Sequence, residues 1–246
     1  MGEVLAVLSG KGGTGKTSVC AGIAAALAEE DRKVLCIDCD IGLRNLDISL
    51  GLSDCGSLSF LDILEHNYPV SMASQHPAFP HLYFLTAPMN RSAEDIDREA
   101  FCRMLRNARS EFDYIFLDAP AGVDAGFHLV SQAADRFLLV TGSGPAAVRD
   151  AGRVGELLEL KGKQNIRLIV NRVDKELLST VRLTIDDVMD TAGLPLCGIV
   201  PEDSSITLAA SFGLPLSKYA RRSPALQAFR RIAKRIQGFH QPIRLK

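Results

Sequence analysis

The chain has 246 residues, 47% of them hydrophobic and 23% charged, with a net charge of −1. That composition excludes a disordered or low-complexity protein, and the length supports a sizeable core without disulfides or structural metal. No compositional shift marks a linker, so residues 1–246 read as a single domain in which 238–246 form a short basic tail.

The charge is unevenly spread. From Lys218 onward there are nine Lys/Arg and no Asp/Glu, which leaves 19 basic against 29 acidic residues upstream. Such asymmetry points either to an anionic partner, lipid or nucleic acid, or to a basic helix face in water. Cysteines stand at 20, 36, 39, 55, 102 and 197. Cys36 and Cys39 are three apart on an expected strand and should face opposite sides, so neither a bridge nor a shared metal is expected. Free thiols suit a reducing cytoplasm. The histidines (66, 76, 81, 128 and 240) show no ligand spacing. No apolar run approaches ~18 residues and no basic-then-hydrophobic leader opens the chain, so neither a membrane span nor a signal peptide is expected.

Short apolar runs alternate with helical stretches along the chain, the rhythm of a parallel sheet covered on both faces. Residues 4–8 read as the first strand and 18–30 as an Ala-rich helix, with 33–38 the second strand. Residues 66–81 carry three prolines and no period, and read as a surface loop. Strands follow at 81–86, 114–118, 136–141, 167–170 and 196–200. Helices are expected near 94–107, 146–160, 185–192, 204–211 and 224–237. The expected fold class is α/β: a three-layer fold whose mostly parallel central sheet has helices on both faces.

Between the first strand and helix lies Gly10-Lys11-Gly12-Gly13-Thr14-Gly15-Lys16-Thr17, a match to G-x-x-x-x-G-K-[ST]. Glycines let backbone N–H groups turn inward around phosphate oxygens, and the helix after them adds positive charge at its amino end. Lys16 places a charge on the β/γ-phosphates, and the Thr17 hydroxyl is a ligand for Mg²⁺. This pattern predicts a P-loop NTPase fold with a site for a nucleoside triphosphate and Mg²⁺ running from Gly10 to Ser18. Ligands on open parallel sheets sit beyond the carboxyl ends of the strands, where Asp118 closes an apolar strand and is placed to hold Mg²⁺.

The motifs go further. Lys11 near the start of K-G-G-x-G-K-T resembles the deviant Walker A signature of the MinD/ParA family of dimerising ATPases. Residues 38–47 (DCDIGLRNLD), 118–122 (DAPAG), Val148-Arg149-Asp150 and Val200-Pro201-Glu202-Asp203 extend that resemblance to about Phe239, and favour the branch that places the bacterial division septum. The resemblance implies an ATP-dependent homodimer in which Lys11 reaches the phosphates of the other subunit. It implies that Asp40 orients the attacking water, that Asp38 supports the Mg²⁺ shell, and that Asn45 faces the dimer partner. Gly122 would let a second switch move with the γ-phosphate, Asn171 and residues 201–203 (with Pro201 and Asp203) would hold the adenine, and Arg149 and Asp150 would mark where regulatory division proteins dock. The implied function is a slow, Mg²⁺-dependent ATPase acting as a spatial switch in the cytoplasm or peripherally on the inner membrane.

The resemblance also implies a terminal amphipathic helix for an anionic membrane surface. Residues 238–246, with Pro242 among them, are too short for one, so either the anchor lies outside this sequence or charge alone holds lipid. The helix at 224–237 has Leu226, Phe229, Ile232, Ala233 and Ile236 on one stripe and Arg230, Arg231, Lys234 and Arg235 opposite. Burying its four large apolar residues is worth about 6–12 kcal/mol, against about 4 kcal/mol for four basic residues on anionic lipid. It should therefore dock on the domain and present its basic face. Other readings are a ParA-like partition ATPase binding non-specific DNA through that end, a flagellar-number regulator of the same family, and a small-molecule kinase, for which no acceptor constellation is visible. Iron–sulfur members need paired cysteines on the dimer face or near the carboxyl end, whereas no cysteine lies between Cys102 and Cys197 and Cys197 stands alone.

Overall fold

Runs such as VLCID and YIFLD are apolar almost throughout, so they form strands covered on both faces, and they pair in parallel. The computed structural model describes residues 1–41, 43–52, 56–89 and 91–244; Gly42 and Cys55 of the sequence reading lie outside them. The strands are β1 (Glu3–Leu8), β2 (Val34–Asp38), β3 (Ser74–Gln75), β4 (Leu82–Leu85), β5 (Tyr114–Asp118), β6 (Arg136–Thr141), β7 (Ile166–Val173) and β8 (Leu196–Pro201). They form one sheet in the order β3-β4-β2-β5-β1-β6-β7-β8, parallel except for β3.

The helices up to β6 are α1 (Lys16–Ala28), α2 (Leu46–Leu50), α3 (Phe60–Glu65), α4 (Arg98–Ala108) and α5 (Ala125–Ala133). Those after it are α6 (Pro145–Leu160), α7 (Lys175–Thr180), α8 (Ile185–Ala192), α9 (Ser204–Ser211), α10 (Leu216–Tyr219) and α11 (Pro224–Ile236). Two cores result, one per sheet face. Val4, Ala6 and Leu8 of β1 point into the core built with Phe101, Phe127 and Val154, while Leu5 and Val7 point into the one built with Ile23 and Phe229. Cys36 and Cys39 fall into opposite cores, as their spacing requires.

The segment at 66–81 is not the open surface loop the prolines suggest. It carries β3, and Val70, His76 and Phe79 are buried. His76 Nδ1 accepts the Ala78 N–H at 3.0 Å, which makes Nε2 the protonated nitrogen, donating to the Leu50 carbonyl at 2.9 Å. Burial holds the imidazole below its ordinary pKa, against the raising effect of the Leu50 bond, and the ring stays neutral while it ties this segment to the end of α2.

Helix α11 docks as its stripe demands, with Leu226, Phe229, Ile232, Ala233 and Ile236 buried against α1 and β8. Its basic face is less free than expected. Arg230 pairs with Glu29 at 2.8 Å and Lys234 with Glu30 at 2.7 Å, because the carboxyl end of α1 lies alongside. Arg235 turns inward to the Cys197 carbonyl at 2.6 Å. Of the four basic residues, only Arg231 keeps a guanidinium engaged by nothing beyond a long contact to the Arg244 carbonyl, among the described residues.

Candidate nucleotide site

β1 ends at Leu8 and α1 begins at Lys16, so the loop between them stands at the carboxyl rim of the sheet. Gly15 caps α1 in the left-handed region at φ 81°, and a Cβ there would lie 2.3 Å from the Asn171 amide nitrogen. Any side chain at this position meets both a strained backbone and a collision. Gly10 answers a different need, because a Cβ there would sit 2.6 Å from the Asp150 backbone. The amino end of α6, which carries Arg149 and Asp150, thus packs directly on the start of the loop.

Lys16 is 6% exposed and its Nζ lies 2.7 Å from Asp118 Oδ1 and 3.4 Å from Thr17 Oγ1. Burial alone would lower its pKa, but the charge and hydrogen bond of Asp118 outweigh that and hold it above the ordinary lysine value. Lys11, on the same loop, is exposed and pairs with no carboxylate among the described residues. One lysine is therefore committed to the site's interior, and the other faces out of the chain.

β2 and β5 are in register, so Asp38 and Asp118 close adjacent strands side by side. Asp38 Oδ1 accepts the Asp40 N–H at 2.9 Å, and Oδ2 accepts those of Asn45 and Leu46 at 3.0 and 3.1 Å. The carboxylate thereby anchors the start of α2, with exposed Asn45 at its cap and half-buried Asp40 leading into it. Burial raises the Asp40 carboxyl above its usual value against the pull of Lys16, and Asp118 adds to the rise. On the other flank, Gly122 holds φ 88° and donates its N–H to the Ser9 carbonyl at 3.0 Å.

Burial, then the charge of Asp118, pushes Asp38 up to about 6 despite its three backbone donors. A carboxyl raised in the fold contributes stability that is full below its ordinary 3.8 and lost as pH rises through about 6. That loss amounts to about 3 kcal/mol. Carbon-detected NMR titration of nucleotide-free protein should place the Asp38 midpoint near 6; a midpoint at the ordinary aspartate value would contradict this electrostatic picture.

Two residues of the expected base site have structural work of their own. Asn171, in a bulge of β7, donates Nδ2 to the Thr14 carbonyl at 2.8 Å and clamps the phosphate loop from behind. Asp203 caps α9 through Ser205 N–H and accepts from Ser223 and Ala225 at the start of α11. Burial alone would raise Asp203, but these donors hold it below the usual carboxylate range. Pro201 ends β8 beside it. Arg172 escaped the sequence reading. It sits at φ 57°, bonds Glu202 at 2.9 Å and reaches the Gly13 carbonyl at 3.4 Å, bridging the loop after β8 to the phosphate loop. Its only sequence signal is adjacency to Asn171.

Three polar atoms of this rim are buried without a hydrogen-bond partner among the described residues: Thr14 Oγ1, Asp118 Oδ2 and Asn171 Oδ1. Orphans of this kind are uncommon in a folded protein and call for a partner. Here they gather with a buried lysine on a glycine-rich loop, an arrangement that fits a polyphosphate ligand.

A family model described as the CobQ/CobB/MinD/ParA nucleotide binding domain matches residues 5–216. The chain belongs to this family, on its MinD branch. It is 38% identical to the septum site-determining protein MinD of Synechocystis sp., over 97% of this chain and 90% of that one. Its fold matches MinD from the MinC:MinD cell division complex of Aquifex aeolicus with a TM-score of 0.90 and 35% identity, covering 99% and 98% of the two chains. It also matches MinD complexed with Mg-ADP from Pyrococcus horikoshii, with a TM-score of 0.83 and 28% identity over 96% of each chain. These MinD likenesses leave the partition and flagellar readings without favour. The three-layer fold and the ATPase activity that the family resemblance implied both stand. No helix among the described residues is long and apolar enough to cross a membrane.

Proposed function

We propose that this chain is a MinD-like switch in division-site placement that dimerises on ATP, hydrolyses it slowly and separates as ADP. What carries the reading is the division of labour between two lysines on one loop. Lys16 is buried against Asp118, while Lys11 is exposed and without an ion pair among the described residues, so its charge is available to a second subunit.

Thr17 and Asp118 would hold Mg²⁺. Their hydroxyl and carboxylate oxygens suit a hard cation, both approach the same lysine nitrogen, and Asp118 Oδ2 has no partner among the described residues. When bound, the ion would neutralise charge on the β- and γ-phosphates. Asp38, with both oxygens already accepting backbone N–H groups, would support that shell by fixing the loop to α2.

Lys16 exchanges Asp118 for the phosphates, and the loop from Gly10 to Ser18 directs its N–H groups at them. Asp40 orients the water that attacks the γ-phosphate. Phosphoryl transfer to water needs positioning and charge neutralisation more than covalent help, so a cation lent by the partner's loop makes hydrolysis wait on dimerisation. Asn45 and Gly122 belong to segments on either flank that would follow the γ-phosphate, an ordered-to-released element of the kind that times assembly. Asn171 Oδ1 and the loop at Pro201 and Asp203 would face the base, with Arg172 tying that loop down.

A regulatory division protein would dock at Arg149 and Asp150, on a groove of about 620 Å³ between α6 and α8. Asp150 packs on Gly10, so a partner held there would lie beside the neighbour of Lys11. An anionic membrane surface is the second partner that the basic carboxyl end suits, ahead of DNA. Asp40→Ala should bind ATP and remain a dimer in it, with turnover reduced by about a hundredfold or more. Turnover close to wild type would remove Asp40 from this mechanism.

A further inference from the structure

The nucleotide site occupies the carboxyl rim of the sheet. At the opposite rim, where β6, β7 and β8 begin, Arg136 is the first residue of its strand and Arg167 and Cys197 the second of theirs, and residues 236–243 fold across them. A groove of about 800 Å³ remains between strands and tail.

Its charge is one-sided. Arg136 pairs with Glu3 at 2.9 Å. Arg235 spends its hydrogen bonds on backbone carbonyls, those of Cys197 at 2.6 Å and Gln241 at 2.9 and 3.2 Å, and meets no carboxylate among the described residues. Arg167 is exposed on β7 and Arg231 half-buried on α11, neither in an ion pair among those residues. The nearest acids on α1, Glu29 and Glu30, are taken by Arg230 and Lys234 on the other flank of α11. Burial first, then the neighbouring charges of Arg235 and Arg244, pull Arg231 below the ordinary arginine value. Arg136, Arg167 and Arg235 line the groove, Arg231 and Arg244 stand beside Arg235, and the Glu3 carboxylate alone pairs with any of the five among the described residues.

Guanidinium groups held together without counter-charge repel one another, and an anion entering among them relieves that repulsion. Their planar forks match phosphate oxygens, and a surplus of several charges suits a phosphate ester better than a singly charged carboxylate. We propose that this groove is a second anion site of the chain, on the rim opposite the nucleotide, for a phosphate-bearing ligand contacted by Arg167, Arg231 and Arg235. Either a soluble phosphate compound or a phospholipid headgroup supplies that chemistry, and the two are separable.

The test uses the full chain saturated with Mg-ADP, so that the phosphate loop is filled. One arm titrates inorganic pyrophosphate by calorimetry; the other sediments the protein with phosphatidylcholine vesicles with or without phosphatidylglycerol. Wild type should bind in at least one arm, and the tighter arm names the source. Arg167→Gln combined with Arg231→Gln should weaken that binding about 25-fold, or about fivefold per arginine, at unchanged ADP affinity. Binding in neither arm, binding that the double variant leaves intact, or weakening accompanied by lost ADP affinity would each overturn the proposal. Arg167→Lys with Arg231→Lys, which keeps the charge, should recover most of the binding to vesicles.

Discussion

Replacing Lys11 by alanine is expected to lower ATP turnover about a thousandfold, while binding of ATP by the single chain stays close to wild type. The magnitude is that of removing a cation supplied from a second subunit to a transferring phosphoryl group. The asymmetry follows from geometry. Lys11 projects from the loop with no described carboxylate to hold it, so its removal leaves Lys16, Thr17 and Asp118 as they are. Hydrolysis measured at protein concentrations well above dimer formation, together with equilibrium binding of a fluorescent ATP analogue, checks both halves. Unchanged turnover would remove Lys11 from the reaction, and lost binding would place it in its own subunit's site.

Lys16→Ala should act on the fold as well as on the nucleotide. The Lys16–Asp118 pair is almost wholly buried, with side chains 7% and 1% exposed. Taking away one partner strands a carboxylate beside that of Asp38 in a low-dielectric site, a change that costs about 3–5 kcal/mol. For a domain of this size the melting temperature of nucleotide-free protein should fall by about 10 °C, and ATP binding should be lost. The double variant Lys16→Met with Asp118→Leu removes both charges and should regain most of the stability with no recovery of ATP binding. A single variant that melts within about 2 °C of wild type would mean that the pair contributes little in solution.

The parts of this site that the sequence revealed are those in which chemistry dictates spacing. The glycine loop must place backbone donors, a lysine and a hydroxyl within one turn, and Asp118 must end a strand to reach them. Strands with apolar residues at nearly every position were legible for the same kind of reason, and β5, β6, α8 and α9 span the residues expected. The short helices α2, α3 and α7 offer too few residues for a period, though Ser59 and Asp62 form a capping box that announces α3. Proline content hid β3 and the buried His76, whose partner Leu50 lies 26 residues away.

Long-range pairings account for most of the remaining differences. Nothing local to α11 shows that Arg230 and Lys234 meet Glu29 and Glu30, or that Asp203 reaches Ser223 across 20 residues. The same holds for Asn171, whose amide finds the Thr14 carbonyl 157 residues earlier only because the sheet places β7 two strands from β1. A carboxylate or amide expected to touch the nucleotide can therefore serve the loop that touches it. Asp38 is the strongest instance, since its three accepted N–H groups fix where α2 begins.

Light scattering of the wild-type chain with a non-hydrolysable ATP analogue, set against the same protein in ADP, tests the account most directly. It predicts twice the 26.6 kDa chain mass in the analogue and the single-chain mass in ADP. A single-chain mass with the analogue saturating the site would contradict it.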